Sequence, residues 1–457
     1  MADHERRARH AVSSHPHPHG AGQPPLGPAG PPPPPGPPGP PPPVAPLGPP
    51  PPPAAPPSPG APRQPSASAG VVGPPLPAAP GTAADTAVPG ASPERPALPP
   101  QAIWSTEGTA RGVQALSVWT ERVPGHGEDA EPFVAHHWGT DQGLLAVFDG
   151  SGGAGAAPVW QDADGVSHTG AWVGARIARL ATDCWFREVA QDNEPLGPES
   201  LHEYLSWFLA KAPQRRSKIG GTMRRQLPTT LAAVHYQVRK TDWRVELRPL
   251  WAGDSRAYVL TETGGLHVLT RDHTRESDAL ELLRTDPPMT NVVCADREFT
   301  VDTHDLAAFE LPCVLVAATD GYFGYVDTPA DFEHLLLSTL GKSGDESEWA
   351  DLLRREVQGY TGDDASLALV ALGHPDFRAL RDAFERRYRE LTELLQRDRP
   401  AVLDRTPARP GEAGAPGTAP ADPRETHARI RAWQDQSWQA YRCGYETHLP
   451  PASEEHR

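Results

Sequence analysis

Residues 144–153 read LLAVFDGSGG, and the fold turns on that junction. Leu144, Leu145, Ala146, Val147 and Phe148 make an apolar run of the length a buried strand needs. The run stops at Asp149, and Gly150-Ser151-Gly152-Gly153 can neither extend a strand nor fill a core. Asp and Gly are also ordinary turn residues, so on this segment alone a simple turn is the more ordinary reading. Further along, "VAATDG" ends a second apolar run at Asp320, and Asp363-Asp364 stand immediately before "ASLALVAL". Glu128 and Asp129 lie in "PGHGEDAEPF", just ahead of another strand-like stretch. Carboxylates at strand ends stand on a rigid scaffold yet reach a loop surface. Mg2+ and Mn2+ favour such hard oxygen donors with positions left for water. One strand-end aspartate is routine and four acidic sites on four strand edges are less so; the spacing fits a pair of metal ions and a set of unrelated strand-end turns about equally.

Around these junctions, strands are read over 112–121, 132–150, 229–239, 243–262, 265–272, 312–321 and 363–373, and helices over 170–191, 200–212, 275–284, 329–341 and 346–360. In the first helix Trp172, Ile177, Leu180, Cys184 and Trp185 fall near helical spacing and are expected in the core. Long helices interrupting strands that do not alternate with them predict an α+β fold, not a βαβ repeat. Most of the 57 prolines crowd into residues 1–100, which read as a disordered, semi-stiff polyproline arm. Residues 101–375 read as one large domain, 376–398 as a charged amphipathic helix, 399–423 as a Pro/Ala/Gly linker and 424–457 as a helix and tail. On that last helix Trp438, Tyr441 and Tyr445 share a face, with Ile430 and Trp433 close to it. A stripe of this kind most often packs on its own domain, with docking to a partner as the alternative. The proline arm is a second candidate docking element, though a passive spacer is the simpler reading.

The formal net charge of −16 argues against nucleic acid and against docking on anionic lipid. Cys184, Cys294, Cys313 and Cys443 form no Cys-x-x-Cys pair, so free thiols are expected, without a zinc site or disulfide framework. The first residues lack the apolar segment of a secretory leader, and no stretch has the length of a membrane span. A cytoplasmic protein is expected. High Ala, Arg, Gly and Pro content suggests a GC-rich bacterial genome, where a Ser/Thr kinase pathway would supply phosphorylated targets.

The order of these segments resembles the metal-dependent serine/threonine protein phosphatases of type 2C, the PPM family. "GEDA", "AVFDGSGG", "PTTLAAV", "WAGDSRAYVL", "LTRDHT", "VAATDGYFGYV" and "DDASLALVAL" are similar to that family's motifs and follow its order over about residues 112–373. The resemblance implies a sandwich of two antiparallel sheets flanked by helices, with two Mn2+ or Mg2+ ions at one end. It implies that Asp149 bridges both ions, that the Gly150 carbonyl and Glu128 complete one, and that Asp320 and Asp364 hold the other. Asp129 would lie behind these ligands, and Asp254 with Asp320 would take a third, weaker ion. A water bridging two such ions loses a proton near neutral pH and attacks phosphorus in line, so phosphoserine and phosphothreonine proteins are the implied substrates.

The chain departs from the family in several places. Ser151 stands where the family carries a histidine proposed as general acid, and a serine hydroxyl is no acid near pH 7. Protonation of the leaving group would then fall to water held by the ions, with His126 as an outside candidate. The phosphate-binding arginine corresponds to Arg122, displaced by the inserted "VPGHG", with Arg224 or Arg225 as substitutes. Gly127, Ala365 and Pro228 replace family residues, and "APVWQDADGVSHT" (157–169) is an apparent insertion. The alternative reading is therefore a catalytically weak or inactive phosphatase fold acting as a regulatory binding module.

Overall fold

The computed structural model describes residues 112–192, 197–212, 225–285, 287–401, 403 and 422–452. In chain order its strands are β1 (Val113–Thr120), β2 (Phe133–His137), β3 (Gln142–Val147), β4 (Pro158–Gln161), β5 (Ser167–Thr169), β6 (Leu231–Arg239), β7 (Arg244–Ala252), β8 (Arg256–Thr261), β9 (Gly265–Val268), β10 (Asp302–Thr303), β11 (Phe309–Glu310), β12 (Cys313–Ala318) and β13 (Ala365–Leu372). Its helices are α1 (Gly152–Gly155), α2 (Gly170–Asp192), α3 (Pro198–Lys211), α4 (Ala279–Arg284), α5 (Asp320–Phe323), α6 (Pro329–Lys342), α7 (Glu346–Tyr360), α8 (Phe377–Gln396) and α9 (Pro423–Tyr445). The proline arm 1–100, Arg224 and linker residues 404–421 lie outside the described residues.

Among the described residues the strands form two main antiparallel sheets. One runs β1-β13-β12-β8-β9; the other runs β10-β7-β6-β3-β2, with β11 also pairing β7. Alternation along single strands shows how the layers arise. On β12, Cys313, Leu315 and Ala317 face the inter-sheet core, while Val314, Val316 and Ala318 face the helices outside. On β3 and its exit, Leu145 and Val147 face inward and Leu144, Ala146 and Phe148 face α2 and α3. β12 and the β3 exit are thus apolar on both faces, which is why they read as continuous apolar runs. The chain is an α+β sandwich of two antiparallel sheets flanked by helices.

Register brings the strand ends together. Thr120 pairs with Ala365 and Ala318 with Leu367 and Arg256, so β1 and β12 finish at the end where β13 and β8 begin. In the other sheet Val147 pairs with Ala232 and Leu231 with Ala252. Only residues 253–255 separate β7 from β8, so the two sheets meet at this end.

α8 and α9 join the same core as α6 and α7, on the outer face of the β1-β13-β12 sheet. Trp433, Trp438, Tyr441 and Tyr445 are buried there, and the Tyr441 hydroxyl donates to Glu333 Oε2 at 2.6 Å. Ile430 is half-buried at the rim. The aromatic face of the C-terminal helix is therefore occupied by its own domain and is not open to a partner, correcting the docking alternative. Within α2 the buried line is Ala171, Val173, Ala175, Ala178, Ala181, Trp185 and Phe186. Trp172, Ile177 and Cys184 are half-buried, and Leu180, expected inside, is 46% exposed. Small alanines let the helix axis approach the sheet, which turns the larger residues toward the flanks. α4 starts later than expected because Asp278 caps it, accepting from the Leu280 and Glu281 amides. The apparent insertion 157–169 is the β4–β5 hairpin, continuous with α2. All four cysteines are free thiols, with Cys443 exposed. No helix among the described residues is long and apolar enough to cross a membrane.

Candidate functional site

Asp149 follows β3 directly, and its backbone is fixed from the start of β6. Its carbonyl accepts from the Thr230 amide and the Thr229 hydroxyl, both at 2.8 Å. Gly150 bridges to Thr229, and the Ser151 amide donates to the Pro228 carbonyl. A Cβ on Gly150 would stand 2.7 Å from the Glu128 carbonyl oxygen and 2.8 Å from that of Ala171, both backbone, so no side chain fits. On Gly152 a Cβ would collide with Glu128 Oε2. The loop is bare because the Glu128 segment passes against it.

That segment is held from several sides. The Ala130 amide donates to the Phe148 carbonyl, laying Glu128-Asp129 beside the end of β3. The Asp364 carboxylate accepts from the Arg122 amide (2.8 Å) and the Glu128 amide (2.6 Å). The Glu121 carboxylate accepts from the Gly125 and Gly127 amides, so the inserted VPGHG is a loop closed over its own backbone donors. Glu128 Oε1 accepts from the Thr169 hydroxyl at 2.5 Å. Asp129 is buried and accepts from the Thr319 hydroxyl at 3.0 Å.

These acids feel one another. Burial raises the Asp149 carboxyl well above the usual range, and the charges of Asp129, Asp320, Asp254 and Asp363 push it further. Burial likewise raises Asp129, with Asp364 and Asp320 adding to it against the Ser366 and Thr319 hydrogen bonds. Asp254 is pushed up to about 8 by burial, then by Asp320 and Asp272, and its Oδ1 is buried without a hydrogen-bond partner. Glu128 is raised by burial and by Asp364 and Asp363, with the Thr169 hydrogen bond pulling the other way. Glu128, Asp149, Asp254, Asp320 and Asp364 thus share one end of the sandwich with Asp129 and Asp363.

The Arg122 side chain is exposed, and what the structure brings to the cluster is its backbone amide. His126 is exposed on the same loop. Ser151 is half-buried, and its hydroxyl oxygen is buried without a partner. Arg225 lies on the segment leading to Pro228 and donates its amide to the Ala154 carbonyl. The cation beside the acids is Arg176 on α2, which sequence reasoning missed. It stacks 3.9 Å over the Trp172 ring and donates to the Gly127 and Glu128 carbonyls at 3.4 Å each. Burial lowers its pKa to about 10, against the pull of Glu121, Asp129, Glu131 and Asp364. A second cation, Arg256, is locked to Asp272 at 2.7 Å and lies over Phe323.

Beside the cluster opens a cavity of about 310 Å3, lined among others by Asp254, Asp320, Asp363, Thr274, Phe323 and Tyr325. The donor set is all oxygen, a chemistry that suits Mg2+ and Mn2+. The buried orphan Asp254 Oδ1 and the bare Gly150 loop also fit such an ion. Among the described residues, however, no three His, Cys, Asp or Glu side chains stand close enough to hold a metal as placed.

Fold and site together define a two-sheet sandwich carrying a convergent acidic end. No protein-family model matches the chain, and no curated protein matches it. Among solved structures it is similar to the PPM Ser-Thr phosphatase MsPP from Mycobacterium smegmatis, at 14% identity over 57% of this chain and 98% of that one, with a TM-score of 0.37. It is also similar to a sex-determining protein of C. elegans, at 16% identity over 62% of this chain and 68% of that one, TM-score 0.44. The catalytic domain of the serine/threonine phosphatase PstP, solved with two manganese ions, matches at 16% identity over 57% and 98%, TM-score 0.35. Overlaps this loose leave the chemistry of the site to the chain's own residues.

Proposed function

We propose that the chain is a divalent-cation-dependent phosphoprotein phosphatase of PPM type, acting on phosphoserine and phosphothreonine. The observation that carries this reading is the gathering of carboxyls at one end of the sandwich, where Asp149, Asp129, Asp254 and Glu128 are raised by burial first and then by neighbouring aspartates, Asp320, Asp363 and Asp364 among them. Holding so many carboxylates together in a half-buried site is unfavourable unless protons or cations balance them. Asp149, Glu128, Asp320 and Asp364, with the Gly150 carbonyl, would hold two Mn2+ or Mg2+ ions, and Asp254 a third. Bound ions of this kind supply a nucleophile at neutral pH and offset charge on the phosphoryl oxygens.

The chain's own residues do the rest. The Asp364 carboxylate is fixed by the Arg122 and Glu128 amides, and Glu128 is fixed by Thr169. Arg176 balances part of the negative charge behind the cluster and anchors the Gly127-Glu128 backbone. The neighbouring cavity, with Thr274, Phe323 and Tyr325 on its wall, is where the phosphorylated side chain would enter. Ser151 brings no acid of suitable pKa, so the leaving alkoxide takes its proton from solvent.

The test is turnover of an aryl phosphate and of a phosphothreonine peptide by the full chain with Mn2+ or Mg2+. Activity that EDTA removes supports the reading; no turnover with any divalent ion across the neutral range defeats it. The exposed Arg122 side chain favours one second reading, a weak or inactive phosphatase fold that binds regulatory partners. Cation binding without turnover is its signature.

A further inference from the structure

One wall of the 310 Å3 cavity leans on the C-terminal helix. That wall is α4, six residues that supply Leu282, Leu283 and Arg284, followed by Thr285 and Pro287. So short a helix has little stability of its own and is held by what it packs against. α9 grips it at both ends. At the start, Asp278 caps α4 through Oδ1, while its Oδ2 accepts from the Trp438 indole at 3.2 Å and from Arg442 Nη1 at 2.7 Å. At the far end, Arg284 Nη2 donates to Asp435 at 2.7 Å and to Gln434 at 3.2 Å. A third lining residue, Arg256, donates to the Tyr445 hydroxyl at 3.5 Å. Ala279 and Leu280 of α4 are buried in the same core as Trp438 and Tyr445. α9 lies outside the stretch 112–373 over which the phosphatase motifs run.

We propose that α9 sets the position of this wall for recognition of a phosphopeptide, with Asp435 and Arg442 as positioning residues that act on the cavity through Arg284 and Asp278. That role rests on the function proposed above, in which the phosphorylated side chain enters this cavity. Glu281, the other partner of Arg284, belongs to α4 itself and moves with it, so the bonds to Gln434 and Asp435 are what tie the guanidinium to the body of the fold. The same holds for Asp278, whose Oδ1 partners lie inside α4. An aryl phosphate presents one flat ring beside its ester, whereas a peptide lays backbone and flanking side chains along Leu282, Leu283 and Pro287. Loosening α4 therefore weakens peptide binding and leaves the ester chemistry as it was, which separates KM from kcat.

The experiment pairs amide hydrogen exchange with kinetics in the full chain. Exchange across residues 278–285 is read by mass spectrometry, because the Leu282 and Thr285 amides donate within α4 at 3.0 and 2.9 Å and exchange only when it opens. KM and kcat are measured with Mn2+ for a phosphothreonine peptide and for an aryl phosphate. Wild type, Asp435→Ala, Arg442→Ala, their double variant, Asp435→Glu and Arg442→Lys are compared. Expected is exchange about fivefold faster in each Ala variant and about twentyfold faster in the pair. The peptide KM rises about fivefold in each Ala variant, while the aryl phosphate KM and both kcat values stay within about twofold. The Glu and Lys variants recover most of the loss. Arg386→Ala, which removes an exposed pair with Glu390 on α8, should move none of these readouts. Unchanged exchange in both Ala variants overturns the brace, and an equal rise in KM for peptide and aryl phosphate overturns its part in recognition. Should an Ala variant not fold, Asp435→Asn and Arg442→Gln, which keep the bulk, take its place. Turnover of neither substrate by wild type overturns the parent function instead, and the exchange comparison still decides the brace.

Discussion

Glu333 is a fully buried carboxylate away from the acidic end. It sits on α6 with no exposed surface, where Arg387 of α8 reaches it through Nε at 2.6 Å and Nη2 at 3.0 Å. Its Oε2 also accepts from the Tyr441 hydroxyl of α9 at 2.6 Å and from the Leu266 amide of β9 at 3.0 Å. One carboxylate therefore ties two helices and a strand to α6. Glu333→Gln keeps shape and volume but removes the charge, leaving Arg387, 17% exposed, without its counter-ion. Breaking a buried pair by neutralising one partner costs about 3–5 kcal/mol, because the other charge stays desolvated. Four acceptor interactions converge here, so the upper half of that range is expected. Urea unfolding of the purified chain gives the value from the midpoint shift at constant slope. A loss under about 1 kcal/mol, the size of an exposed ion pair, would refute the claim that α8 and α9 are locked to the sandwich through this residue.

Three further outcomes follow from the same coordinates. Burial, with a contribution from Arg248, lowers the His235 pKa from 6.5 to about 3, so between those values the unfolded chain holds the extra proton and stability falls as pH falls. At about pH 5 that loss is about 2 kcal/mol relative to neutral pH, and His235→Gln should flatten this part of the stability–pH curve. Gly150→Ala forces a Cβ onto two backbone carbonyls, so melting should fall by the equivalent of about 1–3 kcal/mol, and an unchanged melt would contradict the close approach of the Glu128 segment. Arg122→Ala should leave stability and Mn2+ affinity essentially unchanged, since only its backbone amide meets Asp364; a large loss would place its side chain in the site after all.

The fold was legible where the chemistry is local. β12 and β13 are apolar on both faces, and a continuous run such as Cys313–Ala318 can only be a buried strand when Pro and Asp-Gly bound it. The ends of those strands were legible too, since Asp149, Asp320 and Asp364 are each fixed by their own strand. Side-chain direction on α2 was harder to read. Periodicity there marks large residues, whereas close helix–sheet packing selects Ala171, Ala175 and Ala178, and Leu180 is left outside. Thr169 and Arg176 were invisible in the sequence because their partner Glu128 lies more than 40 residues away, joined to them only by the hairpin folding back. The displacement of Arg122 by the insertion was legible in the sequence. The neighbours of Arg122 match a known motif, but the VPGHG loop closes on Glu121 and leaves the guanidinium outside.

The most direct measurement of the account is paired Mn2+ titration and aryl phosphate turnover for wild type and Asp149→Asn. The Asp149 carboxyl is raised by burial first and then by the charges of Asp129, Asp320, Asp254 and Asp363 around it. Saturable Mn2+ binding with turnover in wild type, and loss of both in the variant, is the predicted result. Turnover that persists in Asp149→Asn, or a wild type that neither binds Mn2+ nor hydrolyses the ester, would contradict it.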